Sequence, residues 1–520
     1  MNEKEGKIVG VHLDLKGMMF RPEYGPRLME DLARQDVNTI LVEYEDVFPF
    51  ENVDVAWDHS VCFDRETLES FLDAAAQNEL EVIPLQQCLG HLEYVFRWER
   101  YRDYALDPAY PGTLDLNQPE ARALIQDMLG QVCDAHPNSR FVHLGLDEAQ
   151  LVAPGADKKE VDVFGIYLEY LTELTAFVEE RGKTPLVWSD MLQDYFDPES
   201  LERLEELKDR VILMPWDYSA SGPTTPAGRI CGQRVSRQWM DDPGHPRAPA
   251  LTPGTQFIED LPPRVKKLVE PYLEGREWRT LFPVDLWTDL GFRVLGAGAL
   301  RVSRDYEVAP HYNEHEGNLR AWADAIERTD QMGVVATSWA RGTTFCPPNF
   351  PIDLTWPSIT VFSEAMGGHP QPFWPGPPPQ DVRTIVRLLE ACREGSSIEG
   401  QVIEGMGSME GDIEAHKYEW ESMKLMARVL RWQKRAEHAV DEVEYFDSNA
   451  RPPAPEWQRR LDDQEEILER LEPLRDAVRE HFSQRYHGEA FEEWIRVMFG
   501  IWESRLQRVG ETCRRKKMAA

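Results

Sequence analysis

The sequence predicts a (β/α)8 TIM barrel followed by an all-helical C-terminal domain, on three observations. Over residues 1–368, eight short apolar runs alternate with amphipathic stretches of helical period. Polar and aromatic side chains gather at the C-terminal ends of those runs, where barrels carry their functional groups. Beyond residue 380 the strand signal stops and apolar residues recur at three-to-four spacing.

The predicted strands are 8–14, 38–44, 81–85, 141–147, 185–188, 211–216, 292–297 and 334–339. Helical stretches at 22–35, 66–78, 119–135, 163–181 and 313–330 lie between them. Strand–helix alternation implies a parallel sheet, and eight repeats imply closure. An insertion at about 219–289, Pro/Gly-rich in its first half and carrying Trp239, is too long for a plain connection and reads as a lid or a substrate wall. Residues 369–380 hold six prolines and form a semi-rigid connector. Residues 381–520 show helical patterns at 382–393, 416–443, 457–482 and 491–509. Their aromatic stripe of Trp420, Trp432, Trp494 and Trp502 is expected as core, and a homodimer through this domain is compatible with it.

Charge narrows the partners. With 92 acidic and 57 basic residues the net charge is −35, which excludes nucleic acid and an anionic membrane surface but suits a neutral small molecule. No apolar run approaches the ~20 residues a membrane span needs, and residues 1–7 are charged rather than signal-like. Arg514 to Lys517 reads as a frayed helix end. Seven cysteines without CxxC spacing read as reduced thiols, and together these features predict a cytoplasmic protein. Cys88 and Cys346 lie near strand ends, with nothing beside them to activate a thiolate.

The most informative stretch runs from Phe141 to Glu148, an apolar run ending in two adjacent carboxylates. Strand alternation predicts His143, Gly145 and Asp147 on one face, with Glu148 where strand gives way to loop. Two acids so placed can divide the work, one staying ionised and the other, drier and with a raised pKa, moving a proton. Asp441-Glu442, inside a helical charge pattern, is by contrast a solvated pair. Other strand ends supply Asp14 and Lys16, Glu43 and Glu45, His91, Trp188 and Asp190, Trp216 and Tyr218, and Trp339 and Arg341.

These residues carry a family resemblance. The run from His143 to Glu148 resembles the His-x-Gly-x-Asp-Glu signature of glycoside hydrolase family 20, the β-N-acetylhexosaminidases. His12 to Gly17, Val42 to Pro49, Glu79 to Leu85, Gly90-His91 and Trp216 to Tyr218 look, in order, like the hexosaminidase D branch of that family. The resemblance covers about residues 8 to 340 and leaves the 219–289 insertion and the helical tail largely outside it.

The resemblance implies exo-acting hydrolysis of a terminal N-acetylgalactosamine or N-acetylglucosamine, with retention, in which the sugar's own 2-acetamido oxygen is the nucleophile. Glu148 matches the acid and later base, Asp147 the carboxylate that holds the acetamide N–H, and Tyr218 the donor to the acetamide carbonyl. Trp188, Trp216 and Trp339 match the apolar walls, and His91 and His143 the supports of the acidic pair. Asp14, Lys16 and Glu45 are expected to bind sugar hydroxyls. Many relatives carry an arginine at the end of the first strand; here Lys16 stands nearest, and Arg341 is a candidate to compensate. No metal or cofactor is implied. Two other readings stay open: a metal-dependent barrel hydrolase using His12, Asp14, His91, His143 and Asp147, against which His-x-Asp replaces the usual His-x-His, and a non-catalytic sugar-binding barrel, against which both acids are present.

Overall fold

The structure is a computed structural model that describes residues 6–152, 161–195, 201–230, 233–236, 256–275, 277–302, 309–371, 417–449 and 453–519. Eight parallel strands close into a barrel: Ile8–Asp14, Thr39–Glu43, Glu81–Leu85, Phe141–His143, Thr184–Trp188, Ile212–Met214, Arg293–Arg301 and Gly333–Ser338. The seam closes where Ile8 to Val11 pair in register with Gly333 to Ala336. Helices cover the outside, so the strands are buried on both faces and read as apolar runs rather than alternations. Several helices are started by the sequence itself: Asp64 accepts the Thr67 N–H at 2.7 Å ahead of Arg65–Gln77, and Asp162 accepts the Gly165 N–H at 2.8 Å ahead of Val163–Glu179.

Inside the barrel, Leu41, Ile83, Leu186, Ile212, Leu295 and Val335 belong to a filled apolar layer that includes Trp188, with Trp216 and Trp339 packed on it. A filled barrel has no pore, so a site at its C-terminal end is a bowl floored by these tryptophans.

The structure corrects several expectations. The fourth strand ends at His143, because Gly145 and Leu146 have φ of 68° and 69°, a left-handed conformation that no strand contains. His143, Gly145 and Asp147 therefore do not line one strand face. The sixth strand stops at Met214, with Trp216 making only a bridge to Ala297, and the seventh runs on to Arg301. The insertion is more ordered than expected: its described residues form two three-stranded sheets and the helices Pro263–Val269 and Phe282–Asp289. Trp239, connector residues 372–380 and the predicted helix 382–393 lie outside the described residues.

The tail comprises helices Lys417–Asn449, Ala454–Glu469, Leu471–Phe482 and Glu489–Ala519. The single helix predicted over 457–482 is two, because Pro473 has no N–H to give and its ring crowds the carbonyl four residues back. The last helix continues through Arg514 to Lys517 rather than fraying there. Trp432 and Trp494 are buried core, as the periodicity predicts.

Two features join the tail to the barrel. Tyr486–His487 pair antiparallel with Met19–Phe20, a short strand just after the first barrel strand. Beside them Arg485 ion-pairs with Asp353 and, at 2.6 Å, with Glu419, while its guanidinium lies over the rings of Tyr24 and Tyr418 at 4.2 and 3.7 Å. Asp353 also accepts from the hydroxyls of Tyr24 and Tyr486. Breaking a buried pair leaves an uncompensated charge. Arg485→Met is expected to cost about 3–5 kcal/mol, read as a lower urea midpoint, and adding Asp353→Asn should recover part of it.

Candidate active site

The ladder of the fourth strand outlasts the strand by one residue, since Leu144 donates to Leu186 O and accepts from the Cys88 N–H. Then the chain turns left-handed. The Gly145 N–H is taken by His143 Nδ1 at 3.0 Å, and a Cβ at Gly145 would overlap the Gln87 carboxamide. Gly90, on the loop after the third strand, passes so close to the Asp147 carbonyl that a Cβ there would overlap its oxygen. Glu148 completes the turn at φ 46°, its N–H taken by Asp190 Oδ2 at 3.0 Å. The turn separates the two acids by environment. Asp147 is buried, whereas the Glu148 side chain is 57% exposed.

His91 bridges them. Its Nε2 lies 3.2 Å from Asp147 Oδ2 and 3.6 Å from Glu148 Oε2, so the first contact is a hydrogen bond and the second an ion pair. Burial disfavours a charge on His91, but Asp147, with Glu148 behind it, outweighs burial and raises the imidazole well above its ordinary pKa. In return, His91 holds the Glu148 carboxyl below the usual range. The expected raised pKa at Glu148 is therefore not found in the open site. The carboxyl pushed up here is Asp190, to about 7, by burial and by the charge of Asp147.

The floor converges on Trp339. Its indole N–H donates to Tyr218 Oη at 3.0 Å, its ring lies 6.0 Å from Trp188 and 4.7 Å from His12, and Lys16 Nζ stands 4.8 Å above it. Trp216 stacks on Tyr218 at 5.3 Å. Although the sixth strand has ended, Trp216, Tyr218, Trp188 and Trp339 thus form one aromatic surface.

On the other side Lys16 meets three carboxylates: Asp14 at 2.9 Å, Glu43 at 3.4 Å and Glu45 at 3.6 Å. Burial disfavours its charge, but these acids outweigh burial and keep it protonated. Glu43, paired also with His12 at 3.3 Å and accepting from Gln87 at 3.1 Å, is pulled down despite its burial. Burial raises Glu45 well above the ordinary carboxyl pKa.

Three predicted binding residues stand elsewhere than expected. Asp14 is fully enclosed, accepting from Lys16 and from the Ala340 N–H at 2.8 Å, so it ties the first strand to the eighth and offers no oxygen to a ligand. His143 is fully buried beside Trp188 at 4.4 Å, and burial lowers its pKa to about 3, so it is a neutral acceptor for Gly145 rather than a partner of the acids. Arg341 is drawn to the tail: it donates to Thr344 O at 3.0 Å and lies 3.4 Å from Glu493, in a cleft of about 900 Å³ between barrel and helices. The five residues considered as metal ligands do not converge, and among the described residues no group of three His, Cys, Asp or Glu could hold a metal ion. Asp190, Glu43 and Gln87 belong to the site without having been assigned roles from the sequence, and His12, considered only as a metal ligand, pairs with Glu43.

No protein-family model matches this chain. It is 31% identical over 218 residues to hexosaminidase D of Homo sapiens and 32% identical over 219 residues to that of Bos taurus, each match covering 40% of this chain. Over those residues the chain is similar to hexosaminidase D. The matches take in 44% and 62% of those proteins, so the chain spans about half the length of the curated relatives it matches. Among solved structures, a β-N-acetylhexosaminidase from Bacteroides fragilis NCTC 9343 aligns at TM-score 0.43 and 14% identity, over 75% of this chain and 71% of that one. The GH20 β-N-acetylhexosaminidase from Streptomyces coelicolor A3(2) aligns at 0.43 and 13%, over 78% and 71%. At those scores neither likeness bears on the chemistry. No described helix is long and apolar enough to cross a membrane.

The raised pKa of His91 makes a stability statement. A group whose pKa rises on folding contributes fully below its unfolded value of about 6.5 and loses that contribution as pH climbs through the folded value. The gap in melting temperature between the parent and His91→Gln should therefore be widest below about pH 6.5 and shrink as the pH is raised beyond it; a gap independent of pH would show that His91 is not charged in the fold.

Proposed function

We propose that this chain is an exo-acting β-N-acetylhexosaminidase that releases terminal N-acetylgalactosamine or N-acetylglucosamine from β-glycosides with retention, the substrate's acetamide acting as nucleophile. One observation carries the reading: Asp147 Oδ1 is buried without a hydrogen-bond partner among the described residues, directly beside the open carboxyl of Glu148. A buried carboxylate oxygen needs a donor, and an acetamide N–H is one. The relationship to hexosaminidase D supports the same substrate class.

In this reading the acetamide sits on the aromatic surface, its methyl against Trp188, Trp216 and Trp339 and its carbonyl accepting the Tyr218 proton. The carbonyl oxygen attacks the anomeric carbon while Glu148 protonates the leaving oxygen. The resulting oxazolinium carries positive charge next to Asp147, inside walls that exclude water. Glu148, now ionised, takes a proton from the water that opens the ring. Its low pKa in the open site is no obstacle. A leaving group that covers the exposed carboxyl desolvates it, and desolvation raises a carboxyl's pKa. Lys16 and Glu45 are left to contact sugar hydroxyls.

An enzymic carboxylate nucleophile fits the geometry less well. Asp217 Oδ1 already accepts the Ser219 and Ala220 N–H groups at 2.9 Å, and Glu45, pushed up by burial, is disfavoured as the ionised nucleophile. The test is hydrolysis of the nitrophenyl β-glycosides of both N-acetylhexosamines. Glu148→Gln should lower kcat/KM by ~10²–10⁴-fold, most on poor leaving groups, and a variant within a few-fold of the parent would remove Glu148 from the mechanism. A thiazoline analogue of the bicyclic intermediate should inhibit tightly, and Asp147→Asn should weaken inhibitor and catalysis together. Efficient cleavage of the plain 2-hydroxyl glycoside, with a 2-fluoro sugar trapped on a protein carboxylate, would replace substrate assistance with an enzymic nucleophile.

A further inference from the structure

The half-buried carboxyl of Asp190 links three consecutive strand ends. Asp190 opens the short helix Asp190–Tyr195 immediately after the fifth strand, and the preceding Ser189 N–H is bound to Met214 O at the end of the sixth. One carboxylate oxygen accepts the main-chain N–H of Glu148 at 3.0 Å, on the turn after the fourth strand. The other accepts the Trp216 indole N–H at 3.4 Å, on the loop after the sixth. The two bonds have different consequences. Glu148 is not a glycine, so its left-handed backbone is a strained state that persists only where surroundings hold it. The Asp190 bond is what holds its N–H. Trp216, through its stack on Tyr218, is the edge of the aromatic surface.

We propose that Asp190 is a positioning residue that holds the Glu148 main chain in its left-handed turn and ties that turn to the Trp216 wall, so that a single carboxylate aligns the proton donor with the surface that seats the sugar. The inference rests on the reading of Glu148 as proton donor. Asp190 touches no reacting atom and acts through its two partners.

The charges around Asp190 give this role a pH signature. Asp147 and Glu148 face it from the turn, Tyr167 from the helix Val163–Glu179, and Tyr195 from its own helix; Arg229 from the insertion stands off, paired to Asp194. Asp190 is pushed up to about 7, so it is mostly neutral at acid pH and charged at alkaline pH. Once charged, it accepts both bonds at full strength and disfavours a second charge on Glu148, which keeps the acid protonated to higher pH.

The experiment compares two glycosides of the same N-acetylhexosamine, one with a nitrophenyl and one with an alkyl leaving group, on the full chain. Asp190→Ala should lower kcat on the alkyl glycoside by about tenfold more than on the nitrophenyl glycoside, because a mis-aimed acid matters most when the leaving group needs a proton. Asp190→Asn is nearly isosteric and keeps an acceptor for the Glu148 N–H but loses the charge. It should give a smaller loss and move the alkaline limb of the kcat profile, which reports the acid in the occupied site, to lower pH. Equal losses on both glycosides with an unmoved limb would reduce Asp190 to local packing and overturn the proposal. A readout without turnover accompanies these: the part of the tryptophan emission that Trp216→Phe removes should titrate near pH 7 in the parent and not in Asp190→Asn. A parent inactive on both glycosides would overturn the proposed function, whereas an active parent whose Trp216 emission ignores pH would overturn the Asp190 tie alone.

Discussion

The barrel mouth depends on a left-handed turn that most side chains resist. Of the positive-φ non-glycine residues in the described chain, Glu45, His91, Leu146 and Glu148 all stand at the C-terminal end of the barrel. Each such residue costs of order 1–3 kcal/mol and persists only when its neighbours over-determine it. Here they do so from several directions: His143 takes the Gly145 N–H, Gln87 fills the space a Cβ would need, Gly90 abuts the Asp147 carbonyl, and Asp190 takes the Glu148 N–H. Without the turn, Asp147 and Glu148 would continue an extended strand and point to opposite faces. With it they share His91 while one is buried and the other exposed.

The barrel was legible in the sequence because parallel strands buried on both faces appear as apolar runs, and the residues at their ends appear as abrupt polar punctuation. The end of the fourth strand was not, although Gly145 is its visible trace: an apolar run extends through Leu146 whether or not the backbone stays extended. Pro473 was a readable signal for the break in the tail. Long-range partners were the hidden part. Asp190 was visible as a polar strand end, but its partners lie 42 and 26 residues away, one of them a main-chain N–H that carries no sequence identity. Arg341 looked available to a sugar for the same reason, since Glu493 is 152 residues on.

The cluster at Lys16 shows how one cation organises two strand ends. Asp14 closes the first strand, Glu43 the second, and Glu45 follows in a left-handed turn, all within 3.6 Å of one ammonium. Three ionised carboxylates around a single buried cation would leave excess negative charge in a low-dielectric site. The two acids divide accordingly: burial pushes Glu45 up, while Lys16 and His12 pull Glu43 down. A compact ammonium suits this arrangement better than a guanidinium fork, which binds its partners in a plane. Lys16 is therefore first a structural counter-ion, enclosed by these acids and by the Trp339 ring.

The same electrostatics fixes what a ligand must do at Glu148. His91 and, more weakly, Arg229 draw its proton off, while partial burial and the facing charge of Asp190 favour its return. In the open site His91 wins because water screens the exposed carboxyl from the buried acids more than from the imidazolium beside it. A donor that pairs with Asp147 Oδ1 changes little at His91, whose bond is to Oδ2. A group that covers Glu148 removes the solvent that stabilises its charge and lets the neighbouring carboxylates act through a lower dielectric. In the proposed reading, binding at the leaving-group side, rather than at the acetamide side, is then the event that arms the acid, and it ties proton delivery to a fully occupied site.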